Sequence, residues 1–341
     1  MVEISSGRKT ICYNYYNIKM DVLLITFESV AALLGIGVLG FWIIAKRIVP
    51  ENLLGFLSTL AIDIALPCLV LANILVDFSP ENYPDWWQLP LWWLFFTAIS
   101  IILSLSTMFI AKKEIRREFA ISLFFQNGIF FPLIIISGIY GKDSPYLVLL
   151  FLFIFLHPSM VFGTYALFFG KQPEKVNWRR ILNPVFIITL VGLAIRLVGF
   201  QTYIPGFVIT ILQMLGAMSL PLLMIILGGN IYVDFKRKGQ FAVFEIVKFV
   251  LVKNIVFPLV FLGILILTRS FIQLDFGIAL IIILQSAVPP ITAIPLLAER
   301  SGGKRTIAGH FIFASFIFSI VSIPLVLYLF NMFFPIIQTT G

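Results

Sequence analysis

The sequence predicts an all-α integral membrane protein with ten transmembrane helices, and two observations lead to this fold class. Apolar residues occupy 60% of the 341 positions and charged residues only 12%, whereas soluble domains average roughly 45–50% and about 25%. Several runs, such as 53–76 and 276–298, also exceed the roughly 18 to 20 apolar residues that cross a bilayer. We therefore expect a lipid bilayer to surround the chain.

Ten hydrophobic runs are bounded by charged residues, prolines and glycines. They cover residues 22–45, 52–77, 86–111, 117–140, 145–170, 181–199, 206–233, 242–268, 275–298 and 307–333. Long continuous runs are typical of membrane helices, because a membrane β-barrel would show short alternating segments instead. The polar residues 1–20 precede the first run, and we expect them to form a flexible extracellular tail.

The basic residues alternate from loop to loop. The positive-inside rule predicts that the basic loops are cytoplasmic, so both termini of this cell-membrane protein would face outside. Because the basic residues form no single patch, nucleic acid is not an expected partner. Sixteen of the 24 Lys and Arg fall in these loops, namely Lys46, Arg47, Lys112, Lys113, Arg116, Arg117, Lys171, Lys175, Arg179, Arg180, Lys236, Arg237, Lys238, Arg300, Lys304 and Arg305.

Five spans on each side of a basic cytoplasmic link, 171–180, predict an inverted repeat, because each half then starts on the opposite side of the membrane. The first five-helix repeat would cover 21–170 and the second 181–341. Matching motifs support this division, since the second and seventh spans both contain Leu-Pro followed by an asparagine, Asn73 and Asn230. Paired Gly- or Pro-interrupted spans in inverted halves are the sequence feature that best predicts a transporter's binding site.

The fourth and ninth spans form the second matching pair, and we predict that they break and cross at Pro132, Pro289 and Pro290. A proline inside a membrane helix removes a hydrogen bond and opens the backbone. Two such breaks would turn the positive amino-terminal ends of half-helices toward one site, which suits an anion such as a carboxylate. The predicted substrate-binding residues are Gln126, Asn127, Gly128, Gln285, Ser286 and Thr292. The alternative is that these prolines only kink packed helices.

Two ionisable residues, Asp63 and Lys253, each lie eleven residues into an apolar span. A charge at the bilayer centre costs about 2.5 to 3.5 kcal/mol or more, so it is a functional candidate. We expect either a role in proton or ion coupling or a structural charge pair between the two. In the first case either residue could bind a proton, or Lys253 could attract an anionic substrate while Asp63 couples to a cation. The histidines His157 and His310 and the two cysteines lack metal-ligand spacing, so we expect packing or interface roles for the histidines, no metal site and no cofactor.

Three segments together resemble the auxin efflux carrier family, which includes plant PIN-type carriers and bacterial organic-acid permeases. They are GFWIIAKRIVPENLLGFLSTLAIDIALPCLVLANI at 40–74, FQNGIFFP followed by IYG, and VPPITAIPLLAERSGG. The resemblance covers the chain after about residue 21. It implies two inverted five-helix repeats, with the first, second, sixth and seventh spans as scaffold and the third to fifth and eighth to tenth as a moving transport domain. It also implies Asn127 as the crossover asparagine and a homodimer through the scaffold helices.

These features predict a secondary active transporter that moves a small organic anion, such as a carboxylate or an auxin-like acid, by alternating access. A sodium- or proton-coupled cation antiporter or symporter of similar architecture is an alternative, and so is a membrane receptor or a channel. The amides around the predicted crossover favour a neutral or anionic ligand. The chain has no Walker A, HExxH or GxSxG motif, so we do not expect an enzyme.

Overall fold

The computed structural model describes residues 5–81, 83–141, 144–170, 184–236 and 242–336, and of residues 5–21 and 234 it describes the backbone alone. Throughout these residues the chain consists of helices and short loops, and the one β-type pairing among them is a bridge between Gln126 and Pro290. The predicted link at 171–180 lies outside the described residues. The backbone is already helical from Ser5, so the part of the predicted flexible tail that is described continues the first helix instead.

The main helices of the described residues are numbered in chain order. They are α1 (Ser5–Ala45), α2 (Leu53–Asp77), α3 (Trp86–Ile110), α4 (Arg116–Phe124), α5 (Phe130–Tyr140), α6 (Pro145–Phe169), α7 (Pro184–Val198), α8 (Gly206–Val233), α9 (Val243–Arg269), α10 (Phe276–Ala287), α11 (Ile294–Arg300) and α12 (Arg305–Phe333).

Seven of the described helices are long and apolar enough to cross a membrane: α2, α3, α6, α8, α9, α12 and the Val22–Ala45 part of α1. Three more, α5, α7 and α10, are apolar but shorter. The ten segments follow the ten predicted runs in order. The fourth and ninth runs are each divided into two helices, α4 with α5 and α10 with α11, which is why they fall short of membrane length.

One end of the bundle, here called the basic end, gathers the loops 46–52, 111–115 and 301–304 with the last residues of α6 and the residues just after α8. Buried carboxylates hold these loops, since Glu118 is 4% exposed and Glu245 is 1% exposed. The contacts are Lys304 N to Glu118 (2.7 Å), Lys112 N to Glu245 (3.2 Å), Lys236 Nζ to Glu51 (3.1 Å) and Arg117 to the Phe169 carbonyl (3.2 Å). Loops far apart in sequence therefore meet at this end.

The opposite end of the bundle is built from tyrosines and the start of α10. The Asp275 carboxylate caps α10 by accepting a hydrogen bond from Ile278 N at 3.1 Å. Tyr83 lies in the loop between α2 and α3. Burial raises the pKa of its hydroxyl, and the negative charge of Asp275 raises it further. The Tyr146 ring contacts Phe276 at 5.9 Å, which joins the start of α6 to the same point.

The first helix packs closely against α8 through glycines. A Cβ atom added at Gly228 would lie 1.8 Å from the Gly37 carbonyl oxygen, and one at Gly40 would lie 2.3 Å from the Ile225 oxygen. Only glycine permits this approach of two backbones, as in the small-residue contacts of membrane helices. The other long contacts of α1 are with α12 and α5, whereas α2 packs against α7 and the first half of α8.

Two helices contain a π-helical segment just before a proline. The segment Leu60–Ala65 of α2 precedes Pro67, and the segment Val252–Val256 of α9 precedes Pro258. Proline has no N–H and its ring clashes with the carbonyl four residues earlier, so a wider turn relieves the clash. The two predicted intramembrane charges, Asp63 and Lys253, lie in these two segments.

Candidate functional site: two broken helices

The two helix breaks have different local causes. Pro289 and Pro290 cannot donate a hydrogen bond, and the residue before them, Val288, is extended with φ −74° and ψ 150°, as is typical before proline. The first break begins at Phe125 (φ −89°, ψ 99°) and contains no proline. Pro132 lies in the first turn of α5, where a missing N–H is tolerated. The prediction that the fourth span breaks at Pro132 is therefore wrong by about one turn.

The two breaks pair with each other as a short antiparallel bridge. Asn127 N–H donates to the Pro289 carbonyl at 2.8 Å, and Ile291 N–H donates to the Phe125 carbonyl at 2.9 Å. Each break thus satisfies backbone groups that the other exposes, which is a requirement for irregular backbone in the interior of a membrane protein. The pairing fixes Asn127 directly beside the two prolines.

The glutamines of the two breaks form an amide clasp, defined here as Gln126, Gly128 and Gln285. Gln285 Nε2 donates to the Gly128 carbonyl at 2.7 Å, and Gln126 Nε2 donates to Gln285 Oε1 at 3.3 Å. Gly128 is required because a Cβ atom there would lie 2.3 Å from Gln285 Oε1. Gln285 is 0% exposed and Gln126 3%, so the clasp joins the two breaks in the buried interior.

Asn127 differs from the two glutamines because its side-chain nitrogen has no partner. The residue is 2% exposed, and Nδ2 is fully buried without a hydrogen bond. A buried donor left unsatisfied costs roughly 1–3 kcal/mol. Asn127 also lies three residues before α5, whose first N–H groups carry the positive end of the helix dipole. A ligand with an acceptor oxygen would recover this cost.

Two predicted binding residues are placed differently from the clasp. The Ser286 hydroxyl is buried and donates to the Ile283 carbonyl of its own helix at 2.7 Å. Thr292 lines a narrow cleft together with Asn230 and Thr306. This cleft lies between α8, α11 and the start of α12, on the side of the breaks that faces the basic end.

A lysine and a histidine lie against the first break. Because Asn127 N–H bonds to Pro289, it does not bond to the Leu123 carbonyl as it would in a continuous helix. Lys253 Nζ approaches this carbonyl at 3.5 Å instead. His157 Nε2 lies 3.2 Å from the Gln126 carbonyl, and since a carbonyl only accepts, Nε2 must carry the proton. His157 Nδ1 is buried without a partner.

Asp63 takes no part in this arrangement. It is exposed on the outer surface of α2, whereas Lys253 is 1% exposed. No ion pair joins them among the described residues, whose salt bridges include Lys236 with Glu51 and Lys248 with Glu245. The prediction of a charge pair between Asp63 and Lys253 therefore does not hold in this structure.

The two breaks present hydrogen-bond donors and no acid. Residues 125–129 and 288–293 contain no Asp or Glu. Among the described residues there is also no group of three or more His, Cys, Asp or Glu that could hold a metal ion. The unsatisfied Asn127 amide and the buried Lys253 are donors, so the arrangement is suited to an acceptor ligand rather than to a cation.

Sequence reasoning assigned His157 a packing or interface role and did not single out Asn254. Asn254 is 1% exposed and joins α9 to α12, since its Nδ2 donates to the Ser315 carbonyl and Ser322 Oγ, each at 3.2 Å. Its amide beside Lys253 in an apolar run was the available signal, because buried polar groups in membranes need partners. The contact of His157 with the break has no local signal in sequence.

Comparison with protein families places the chain among transport proteins. A family model described as membrane transport protein matches it in two segments, residues 25–175 and residues 168–327. No curated protein matches the chain. The family match extends through both breaks and through most of the helices, from α1 into α12.

Proposed function

The chain belongs to the membrane transport protein family, that of the auxin efflux carriers and PIN-like transporters, and on this premise we propose that it is a secondary active transporter for a small organic anion. Family membership and the apolar helices make it a multi-pass membrane transporter. The class of ligand, the binding residues and the mechanism are our proposals. The ligand we propose is a carboxylate, including auxin-like aromatic acids.

The observation that carries the proposal is the unpartnered Asn127 amide. Its Nδ2 is buried beside the bridge between the two breaks and points to no protein acceptor. A carboxylate oxygen would accept from it and face the amino-terminal end of α5, where the helix dipole favours a negative charge. The clasp would hold both breaks in place around the ligand, with Gln126, Gly128 and Gln285 acting as positioning residues. We keep Ser286 and Thr292 as residues that a moving ligand would pass.

The distribution of charge favours an anion over a cation. Sodium and proton antiporters need a carboxylate that binds and releases the cation, because oxygen ligands and negative charge stabilise it. The two breaks contain no acid, and the acid predicted to couple ions, Asp63, is exposed on the outer surface of α2. Lys253 places an amino group that can bind a proton next to the first break. These observations support the anion carrier over the cation antiporter or symporter.

The packing supports alternating access in its general form. The cleft that contains Thr292 reaches from the basic end toward the second break, whereas Tyr140, Tyr146 and Phe276 pack together on the opposite side, with ring centroids 4.7 and 5.9 Å apart. We propose that this is the conformation accessible from the cytoplasm. Movement of α3 to α6 and α9 to α12 against α1, α2, α7 and α8 would open the other side.

We propose further that the protein lies in the cell membrane with its basic end in the cytoplasm, with ten membrane crossings in two inverted repeats and both termini outside. The sixteen basic residues in alternate loops support this orientation. A homodimer through the scaffold helices is supported by large exposed apolar side chains on α7 and the first part of α8, such as Val198, Phe207 and Met214. Cross-linking in native membranes tests this contact, since a cross-linked dimer supports it and the absence of one contradicts it.

Uptake by sealed proteoliposomes tests the proposed function. We expect the purified full chain to take up at least one labelled mono- or dicarboxylate with saturable kinetics, and we expect no saturable flux of sodium. Vesicles that contain heat-denatured protein are the control for leakage. Sodium flux without uptake of any carboxylate would contradict the proposal and favour the cation carrier, and conductance without saturation would favour a channel.

A further inference from the structure

Lys253 is a buried amino group without an acidic partner. It is 1% exposed, its Nζ lies 3.5 Å from the Leu123 carbonyl, and the Phe257 ring lies 5.0 Å away. No carboxylate of the described residues forms a salt bridge with it. One long hydrogen bond and one ring leave an ammonium group poorly solvated, and an unpaired charge in a protein interior is costly.

The charged groups on the surrounding helices are already engaged or lie elsewhere. On α4, Glu118 accepts from Lys304 N, and on α9 itself Glu245 accepts from Lys248 and Lys112. Both acids belong to the basic end. The carboxylates nearest in sequence therefore hold loops and do not neutralise Lys253.

The remaining titratable and charged side chains of α4, of α6 and of the start of α12 are cationic or neutral. His157 on α6 contacts the first break, His310 lies near the start of α12, and Arg116 and Arg117 begin α4. The described part of α10 next to Lys253 contributes Gln285 and Ser286, which carry no charge. The immediate surroundings thus supply no negative charge.

The first break explains why an amino group that can carry a positive charge lies at this point. Leu123 lies at the carboxyl end of α4, where the helix dipole is negative, and its carbonyl lost its helical partner when Asn127 N–H turned to Pro289. Lys253 comes from a π-helical segment, a feature frequent at functional sites. The carbonyl contacted by Lys253 is only four residues before Asn127.

We propose that Lys253 is the proton-binding group of the transporter, and that it takes up one proton each time a carboxylate binds at Asn127. This inference rests on the proposed function and names its coupling ion. The empty carrier holds Lys253 as a neutral amine. Binding of the anion beside the first break supplies the missing negative charge, so the amine binds a proton and becomes an ammonium.

This step fixes the net charge that crosses the membrane in each transport cycle. One monocarboxylate anion and one proton enter from the same side, the protonated amine and the anion cross together, and release of both on the other side restores the neutral amine. Transport of a monocarboxylate is then electroneutral proton symport. With a dicarboxylate dianion, the single proton leaves one negative charge unbalanced.

The test measures proton and substrate movement together. Proteoliposomes of the native full chain contain a pH-sensitive dye, and a radiolabelled monocarboxylate that the carrier accepts is added outside without a pH gradient. We expect internal acidification with one proton per monocarboxylate, and a rate of uptake that does not respond to an imposed membrane potential. The ratio of protons to substrate does not depend on how much of the protein is active.

Variants at Lys253 separate coupling from folding. Lys253→Met removes the charge, and Lys253→Arg makes it permanent, because the arginine guanidinium stays protonated. We expect the proton-to-substrate ratio to fall to zero in both, with carboxylate-for-carboxylate exchange retained in the arginine variant. Lys236→Met is the matched control, since Lys236 is exposed at the basic end and pairs with Glu51. Its ratio should equal that of the native protein.

Two outcomes overturn the inference, and they differ. Carboxylate uptake by the native protein without proton movement, or an unchanged ratio in Lys253→Met, contradicts the role of Lys253 and leaves the anion carrier standing. No carboxylate uptake at all contradicts the proposed function and the coupling with it. A lysine with a purely structural role would lower the yield of folded carrier but leave the ratio unchanged.

Discussion

Asn127→Ala is expected to weaken carboxylate binding by roughly 10- to 150-fold, because a hydrogen bond to a charged group contributes about 1.5–3 kcal/mol. The fold should survive, since the backbone N–H of residue 127 still bridges to Pro289 and the side-chain nitrogen has no protein partner to lose. The measurement is the substrate concentration for half-maximal uptake in proteoliposomes, with the melting temperature of the purified protein as the check on folding.

The matched control for this variant is Asn73→Ala. Asn73 lies in α2, and its Nδ2 is also buried without a partner. It is far along the chain from both breaks, so its removal should leave the half-maximal concentration unchanged. If both variants lose uptake equally, or if Asn127→Ala transports like the native protein, Asn127 does not bind the ligand.

Gly128→Ala should abolish most transport and also lower stability. The added Cβ would lie 2.3 Å from Gln285 Oε1 and 3.1 Å from its Cδ, so the glutamine must leave the clasp. Overpacking of this kind costs roughly 1–3 kcal/mol. We expect a lower melting temperature in detergent and loss of uptake, because both hydrogen bonds of Gln285 to the first break are broken.

Combining Gly128→Ala with a substitution of Gln285 tests whether the two residues interact through the clasp. Gln285→Ala removes the atoms that the new Cβ would meet, so the double variant should be less destabilised than the sum of the two single variants. Gly263→Ala is the control, since a Cβ at that position of α9 meets nothing within 4 Å. Additive effects of Gly128→Ala and Gln285→Ala would show that the two residues do not interact.

The sequence predicted the helical membrane fold and the transport family well, because both depend on composition and on long apolar runs. Motif pairing singled out the second and seventh spans and the fourth and ninth, and the structure divides the fourth and ninth. The number of membrane crossings and the inverted relation of the two halves are still predictions. The chemistry of the breaks was visible in advance because amides and glycine are unusual in apolar runs.

The errors arise because the sequence gives the depth of a residue along its helix but not the direction in which its side chain points. Residue counting put Asp63 and Lys253 at similar depth, but the orientation of each around its helix depends on packing, and only Lys253 turns inward. The first break was assigned to Pro132 because proline is the usual cause, yet the pairing of Asn127 with Pro289 opens the helix earlier. Contacts across some 160 residues, such as Gln126 with Gln285, cannot be read from local pattern.

The central claim is that Asn127 binds an anion, and substitution by aspartate tests it most directly. Asp has nearly the shape of Asn but exchanges a donor for a negative charge, which would repel a carboxylate strongly in a buried site. We predict that Asn127→Asp binds the transported carboxylate more weakly than Asn127→Ala does, as measured by half-maximal uptake in proteoliposomes. Binding by the Asp variant as strong as that of the native protein, or saturable sodium flux in its place, would contradict the anion site.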